Sequence, residues 1–595
     1  MSRLTVTSFA LGLSLAGCSL PLEDSVVPYE NACTESSDCG ANAACVATAK
    51  GNVCAAKSAD LGPVYLEVRT SNASDSAPSF LFTDVLSFDG TASDLGVVVD
   101  VDLQLPHLVE VTGSYEAPPG TSASCMSPPP QGSSVGTIPV KVELRAITPL
   151  PGVKSQIAML SKLVDDQHVF EADVPPGSYD VYIEPKEQDG CTTTAPPRYF
   201  PAGLVVPTDV AKITFAPRAE VLEWVVAEIE VPEDQSLDGW HLDVVEPAYG
   251  RPISNQVVLG EPNGAIITTD PITYNYTKDA LLRLQKPKPA SAGATAESEG
   301  ELTVHWVLKS LDFANGNVQL FLRDLDAMPF DVTATAIGPG NTGPVAGAKV
   351  TIQSKKLTGS ANQNASYKFV TETNENGLIE ASLIEGTYYV SIVPSVPGVG
   401  MYFGEWDVNE LGGGNGKGFE LSPQPVLQAN VVTAGGDPTS GAPVLAAPSL
   451  SASQTYFDQF FGPFAPLPRQ ATGAVNQAGN LSMAVDVGTL DFSVQINSDT
   501  GFPWYVRPRL GVQDAVAAPK QDLGDIKVAY PAVVIGSVHS LSGSSALALI
   551  RAWVPAGEPT GDDALSAPLV QIGSTIADEA GNFVLPLPPS VTKSQ

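Results

Sequence analysis

The feature that most constrains this chain is a strand–turn–strand pattern that returns at a fixed interval. Before Gly386, residues Ile379, Ala381 and Leu383 fall on one face of an extended segment, with Glu380 and Ser382 on the other. Beyond it, Tyr388, Val390 and Ile392 alternate in the same way with Thr387, Tyr389 and Ser391. Alternation with period two marks a strand with one buried face. The register recurs at Gly177 (Phe170, Ala172, Val174, then Tyr179, Val181, Ile183) and at Gly488 (Leu481, Met483, Val485, then Leu490, Phe492, Val494). It returns at Ser590, after Phe583, Leu585 and Leu587. Gly386 to Gly488 is 102 residues and Gly488 to Ser590 is 102 again; Gly177 to Gly386 is 209, which leaves room for one diverged copy. A turn glycine stands nine residues earlier in three copies (Gly377, Gly479, Gly581), where the first copy has His168.

A period of about 100 residues is one β-sandwich per copy, not a solenoid turn. The fullest copy reads Pro344-Val345-Ala346-Gly347-Ala348-Lys349-Val350-Thr351-Ile352, then Asn376-Gly377, then Gly386-Thr387-Tyr388-Tyr389-Val390. It resembles the transthyretin-like, carboxypeptidase-regulatory-type sandwich: a proline-led turn, a strand opening Gly-Ala-x-Val, a turn glycine, then Gly-x-Tyr. The resemblance is fullest over 331–400, weaker over 107–190, 430–500 and 533–595, and faint between 220 and 330. It implies a fold and a surface placement but no single activity.

The predicted fold class is therefore all-β: tandem β-sandwich (Ig-like/transthyretin-like) modules preceded by a small disulfide-rich module. Sandwiches are expected at 63–205, 220–325, 330–410, 427–515 and 531–595. Segments 57–62, 117–136, 286–300, 412–418 and 434–448 read as connectors from their Pro, Gly, Ser and Ala content. In the last copy only Val591 to Gln595 follow the turn. The expectation is an incomplete sandwich, either from a truncated reading frame or completed by a partner, because an unpaired edge recruits strands.

At the N-terminus, Arg3 is the only early charge and Leu4 to Ala16 are apolar. That run is shorter than the roughly 20 residues that span a bilayer, so 1–17 read as a signal peptide. Leu15-Ala16-Gly17-Cys18 resembles the lipobox of bacterial lipoproteins. The resemblance implies that Cys18 is acylated, each buried methylene contributing about 0.8 kcal/mol, and Ser19 after it implies the outer membrane, on a face left open. The rival is an ordinary signal peptide with a chance cysteine. Residues 18–31 read as a linker.

Of seven cysteines, six remain once Cys18 is set aside, an even number suited to an oxidising space. Cys33, Cys39, Cys45 and Cys54, within 32–56, resemble a small EGF-like module. Three pairings are open; Cys33–Cys45 with Cys39–Cys54 is favoured, and Cys125 with Cys191 makes a third bridge. Zinc is the rival, but no Cys-x-x-Cys pair or nearby histidine supports it.

Composition narrows the function. Glycine (53) and proline (51) are abundant, and 43% hydrophobic against 16% charged residues describe ordered, turn-rich structure. The length suits about four to six domains. A net charge of −34 repels phosphate backbones, so nucleic acid is not expected as a partner.

Two catalytic motifs match only in letters. Gly132-Ser133-Ser134-Val135-Gly136 follows Pro128–Pro130 rather than a strand, and Gly338-Pro339-Gly340-Asn341-Thr342-Gly343 leads into a strand rather than a helix. The five histidines (107, 168, 241, 305, 539) are scattered across modules. Asp100 with Asp102, or Asp578 with Glu579, could take calcium but lack EF-hand spacing. No catalytic residue, metal or cofactor is assigned. Tyr456, Phe457, Phe460, Phe461 and Phe464 put five aromatics in nine residues. They form either an exposed patch for a partner or a loop folded back over its own core.

The functional expectation is a non-enzymatic, lipid-anchored scaffold with a membrane anchor and a protein or glycan ligand. The glycan reading would require Trp224, Trp240, Trp306, Trp406, Trp504 and Trp553 to line an exposed face.

Overall fold

A computed structural model describes residues 29–591 except 71–78, 120, 125–135, 148–155, 187–191, 218–222, 231–236, 261–265, 269–271, 275–278, 287–300, 309–317, 323–329, 359–364, 410–414, 450–454, 463, 465, 517–518, 541–542, 545 and 557–567. Cys18, Cys125, Cys191 and the segment Gly132–Val135 lie outside the described residues.

The repeat is built on one turn. Asn374 Oδ1 accepts the backbone N–H of Asn376 and Leu378 at 2.9 and 3.0 Å, Asn476 Oδ1 those of Ala478 and Asn480, and Asp578 Oδ1 those of Ala580 and Asn582. Three residues after each Asx stands a glycine in the left-handed region (Gly377, Gly479, Gly581). The first copy turns differently, on Asp165 and Asp166 with φ of 48° and 61°, as a two-residue hairpin requires. The Gly-x-Tyr tyrosines bury their rings and settle their hydroxyls locally, Tyr179 on Pro175 O at 2.6 Å and Tyr388 on Ile384 O.

Among the described residues five sandwiches result, each closed by parallel pairing of its first and last strands. The pairs are Val109–Ser114 with Lys212–Phe215, Glu223–Glu230 with Val318–Leu322, and Phe330–Ile337 with Lys417–Glu420. Val426–Thr433 pairs with Lys520–Val528, and Ala532–Ser540 with Val98–Gln104. Part of the expected connector 434–448 is a strand, Pro443–Pro448.

The last of these pairs corrects two expectations. The module at 531–591 is not left incomplete: the chain's own residues 58–105 complete it. Pro63–Arg69 inserts beside Leu549–Pro555, with Leu66 opposite Ala552 and Val68 opposite Ile550. The same strand position sets Val390 opposite Ile352 and Phe492 opposite Ala446 in other copies. Val64, Leu66 and Val68, all fully buried, share one core with Val534, Ile550, Phe583 and Leu585. Asp60 N donates to Pro589 O at 2.7 Å, which ties the start of the inserted segment to the end of the module it completes. The expected sandwich at 63–205 accordingly divides: its first strands belong to this split module, and 109–215 form a sandwich of their own.

The diverged copy is fused to the next. Glu301–Leu308 pairs with Ala365–Glu372, giving one eight-stranded sheet and one core across both modules. In the cysteine-rich module, disulfides join Cys33 to Cys45 and Cys39 to Cys54. Its Val46, Val53 and Ala55 pack with Tyr29 on Val533 and Val584 of the split module. Residues 29–31 of the expected linker are thereby anchored: Asn31 Nδ2 donates to Gly501 O at 2.9 Å.

Candidate functional site

The aromatic run is a helix, α1 (Tyr456–Phe461). Thr455 Oγ1 accepts the Asp458 N–H at 3.1 Å, and the Asp458 carboxylate accepts the Thr455 N–H at 3.1 Å, a reciprocal N-terminal cap. The helix leaves its own sandwich and docks on the outer face of the eight-stranded sheet. Strand alternation builds that face: Leu242, Leu282, Val304 and Tyr367 point into the core, so Asp243, Arg283, His305 and Ser366 point out. Register sets Asp243 opposite Arg283, Arg283 opposite His305, and His305 opposite Ser366, a polar row across four strands.

The helix satisfies this row. His305 Nε2 lies 2.9 Å from Tyr456 Oη, and its ring packs against Phe460 with centroids 4.0 Å apart. The Phe460 carbonyl accepts from Ser366 Oγ at 2.7 Å and from Gln353 Nε2 at 3.2 Å. Tyr456 and Phe457 donate their N–H groups to Ala248 O and Pro247 O at 2.7 and 2.8 Å. Gly250 sits beneath Tyr456: a Cβ there would lie 2.3 Å from the ring, and φ of +70° already favours glycine. His305 is fully buried, and burial first, then Arg283 and Lys368, hold its pKa well below the usual histidine value.

The turn under the helix also binds the preceding module. Fully buried Glu246 accepts the N–H of Ala248, Tyr249 and Arg251 at 2.6–3.1 Å. Tyr249 Oη donates to Asp180 at 2.8 Å, Arg251 pairs with Glu143, and Arg145 lies over the Tyr249 ring at 4.2 Å. At the next joint Arg469 grips fully buried Asp486 at 2.6 and 2.7 Å and donates to the carbonyls of Pro394 and Val399.

Beside α1 is a cleft of about 1090 Å³ whose lining includes Lys356, Thr387, Asp407 and Phe461. Near its rim, Tyr389 stacks on Phe464 (5.9 Å, 9°) and on Phe403 (5.9 Å, 26°); Phe403 is 47% exposed.

No protein-family model and no curated protein matches the chain. Among solved structures it is similar to a Streptococcal ancillary pilin (12% identity, 53% of this chain and 99% of that one, TM-score 0.16). It is also similar to the Bacillus anthracis TIE protein (11%, 70% and 72%, TM-score 0.15) and to the minor pilin of Streptococcus agalactiae (12%, 33% and 93%, TM-score 0.19). Scores this low carry no argument.

The five aromatics of the run are thus brought together, but as a clamp between modules. Phe460 is buried, and Tyr456, Phe457, Phe461 and Phe464 are half-buried. The run folds over a neighbouring module's sheet instead of its own core, and it is Phe460 and Tyr456 that make the contacts with His305, Ser366 and Gln353. The tryptophans form no exposed row among the described side chains. Trp240, Trp306, Trp406 and Trp553 are buried, Trp504 packs on the split module's core, and the side chain of Trp224 lies outside the description. Gly338–Gly343 is a tight turn between two strands, as its context implies. Asp578 caps its hairpin, and Asp102 accepts from Ser537 at 2.9 Å. Sequence reasoning missed His305, Ser366 and Gln353 as docking groups; the available signal was Thr455-x-x-Asp458, a cap opening a helix.

Proposed function

We propose that the chain is a non-enzymatic scaffold of the cell envelope, held at the outer membrane by acyl chains on Cys18, whose transthyretin-like sandwiches present a cleft to a ligand. The observation that carries this reading is the way α1 leaves one sandwich to clamp a sheet shared by two others. Its neighbours are bonded through the Glu246–Arg251 turn and through Arg469. Buried polar joints of this kind suit a body that must hold modules in fixed relation, because breaking one buried pair costs about 3–5 kcal/mol.

The rings of Tyr389, Phe403 and Phe464 near the cleft, beside hydroxyl, amino and carboxylate groups, favour a glycan ligand over a flat protein surface. Two measurements test the proposal. Cys18→Ala should move the protein from the membrane to the soluble fraction; an unchanged membrane pool overturns the anchor. Phe403→Ala and Lys356→Ala should abolish binding on a glycan array to which the parent binds; a parent that binds no glycan overturns the glycan reading.

A further inference from the structure

We propose that the docking of α1 on the shared sheet is an acid-released latch with His305 as its trigger. The imidazole is fully buried between the sheet and the helix. One nitrogen is spent on Tyr456, and the other, Nδ1, is buried with no hydrogen-bond partner. With Nε2–H donated to Tyr456, neutral imidazole leaves only the Nδ1 lone pair without a partner. Imidazolium carries N–H on both nitrogens and needs an acceptor at each.

The charged groups facing His305 offer none. From the sheet come Arg283 and Lys368, both cations. Asp243 is the anion in the row, and Arg283 holds it through two bonds of 2.9 and 2.6 Å. From the helix come the Tyr456 hydroxyl and the ring of Phe460, over which Lys368 already lies at 4.9 Å. Lys368 already draws on that ring, and the attraction of a shared ring does not offset an uncompensated buried charge. Protonation therefore favours the undocked state, in which water reaches Nδ1. Once released, a six-residue helix is too short to persist.

The sign follows from linkage. The docked pKa lies below the undocked value of about 6.5. Docking is therefore complete above that pH and weakens about tenfold per unit as pH falls, until the docked pKa is reached. Release withdraws Phe460 and Phe461 from the cleft wall and bares Ser366 and Gln353. The latch does not depend on what the cleft binds.

Hydrogen exchange of the full chain between pH 7.5 and 4.5, corrected for the intrinsic pH dependence of exchange, tests it. Protection of 456–461 should fall about tenfold per unit below pH 6.5, while 426–433 stays protected. His305→Gln, which keeps a donor to Tyr456 but cannot titrate, should flatten the profile; an equal fall in parent and variant overturns the proposal. If His305→Gln is undocked at pH 7.5, Lys368→Gln decides: with one facing cation gone, the total loss by pH 4.5 should shrink. An unchanged loss overturns the latch.

Discussion

The sandwich at 426–528 and the one assembled from 58–105 and 531–591 have the same strands in the same spatial order, but the chain enters them at different points. The first is contiguous: Asn430 on its first strand bonds Asp525 on its last, 95 residues away. In the second the equivalent contact, Ser537 to Asp102, spans 435 residues. Loop-closure entropy grows only with the logarithm of length, so the longer span costs about 1 kcal/mol more. Burying one Leu or Val side chain contributes about 1.5–3 kcal/mol. Packing therefore outweighs connectivity, and a permuted module is as admissible as a contiguous one.

The sharpest way to break the comparison is to remove one half of the split module. A chain ending at Tyr530 should lose all exchange protection across 63–69 and 98–104 while keeping it across 426–433. Retained protection at 63–69 would mean that the N-terminal strands have another partner. Next in size are core truncations. Leu66→Ala and Leu490→Ala remove fully buried side chains at equivalent strands and should each cost about 2–5 kcal/mol. Denaturant melts read locally by exchange should place the first loss in the split module and the second in 426–528.

Legibility differed between the two modules for a physical reason. The period of 102 and the inward residues of each copy are local, period-two signals, and the structure keeps all of them. Gly62, Val64, Leu66 and Val68 carry the same signal as Gly488, Leu490, Phe492 and Val494, but they precede every other strand of the repeat instead of following Ser590, where a search for successive repeats does not look. The run Tyr456–Phe464 was opaque for another reason: its apolar faces answer to a sheet built from other modules, and periodicity reports only an element's own faces.

The cysteines sharpen the comparison further. Cys39→Ala with Cys54→Ala opens a bridge of separation 15, worth about 3 kcal/mol, and should loosen the N-terminal side of the split module without touching 426–528. In the adjoining sandwich, Ala123 pairs antiparallel with Thr193, and Ser124 N donates to Thr192 O at 3.0 Å. Thiol labelling under denaturing, non-reducing conditions should find no free cysteine in the mature protein; labelling at two sites would refute the third bridge. The smallest expected effect is a null difference. Gly479 and Gly581 hold the same turn at φ of 82° and 84°. The left-handed backbone alone makes alanine at either cost about 1–2 kcal/mol, the same in the contiguous and split modules, because that contribution is indifferent to where the chain began.

The split module also has a consequence in time. Synthesis proceeds from the N-terminus at roughly 5–20 residues per second. Pro63–Arg69 and Val98–Gln104 therefore emerge on the order of tens of seconds before Leu549–Pro555 and Ala532–Ser540, with which they pair, exist. Through that interval the chain carries two apolar strands with open edges, which are templates for misplaced pairing. Ala532–Ser540 and Leu549–Pro555 are the strands that end this exposure, so the split module closes after the sandwich at 426–528 has already been made.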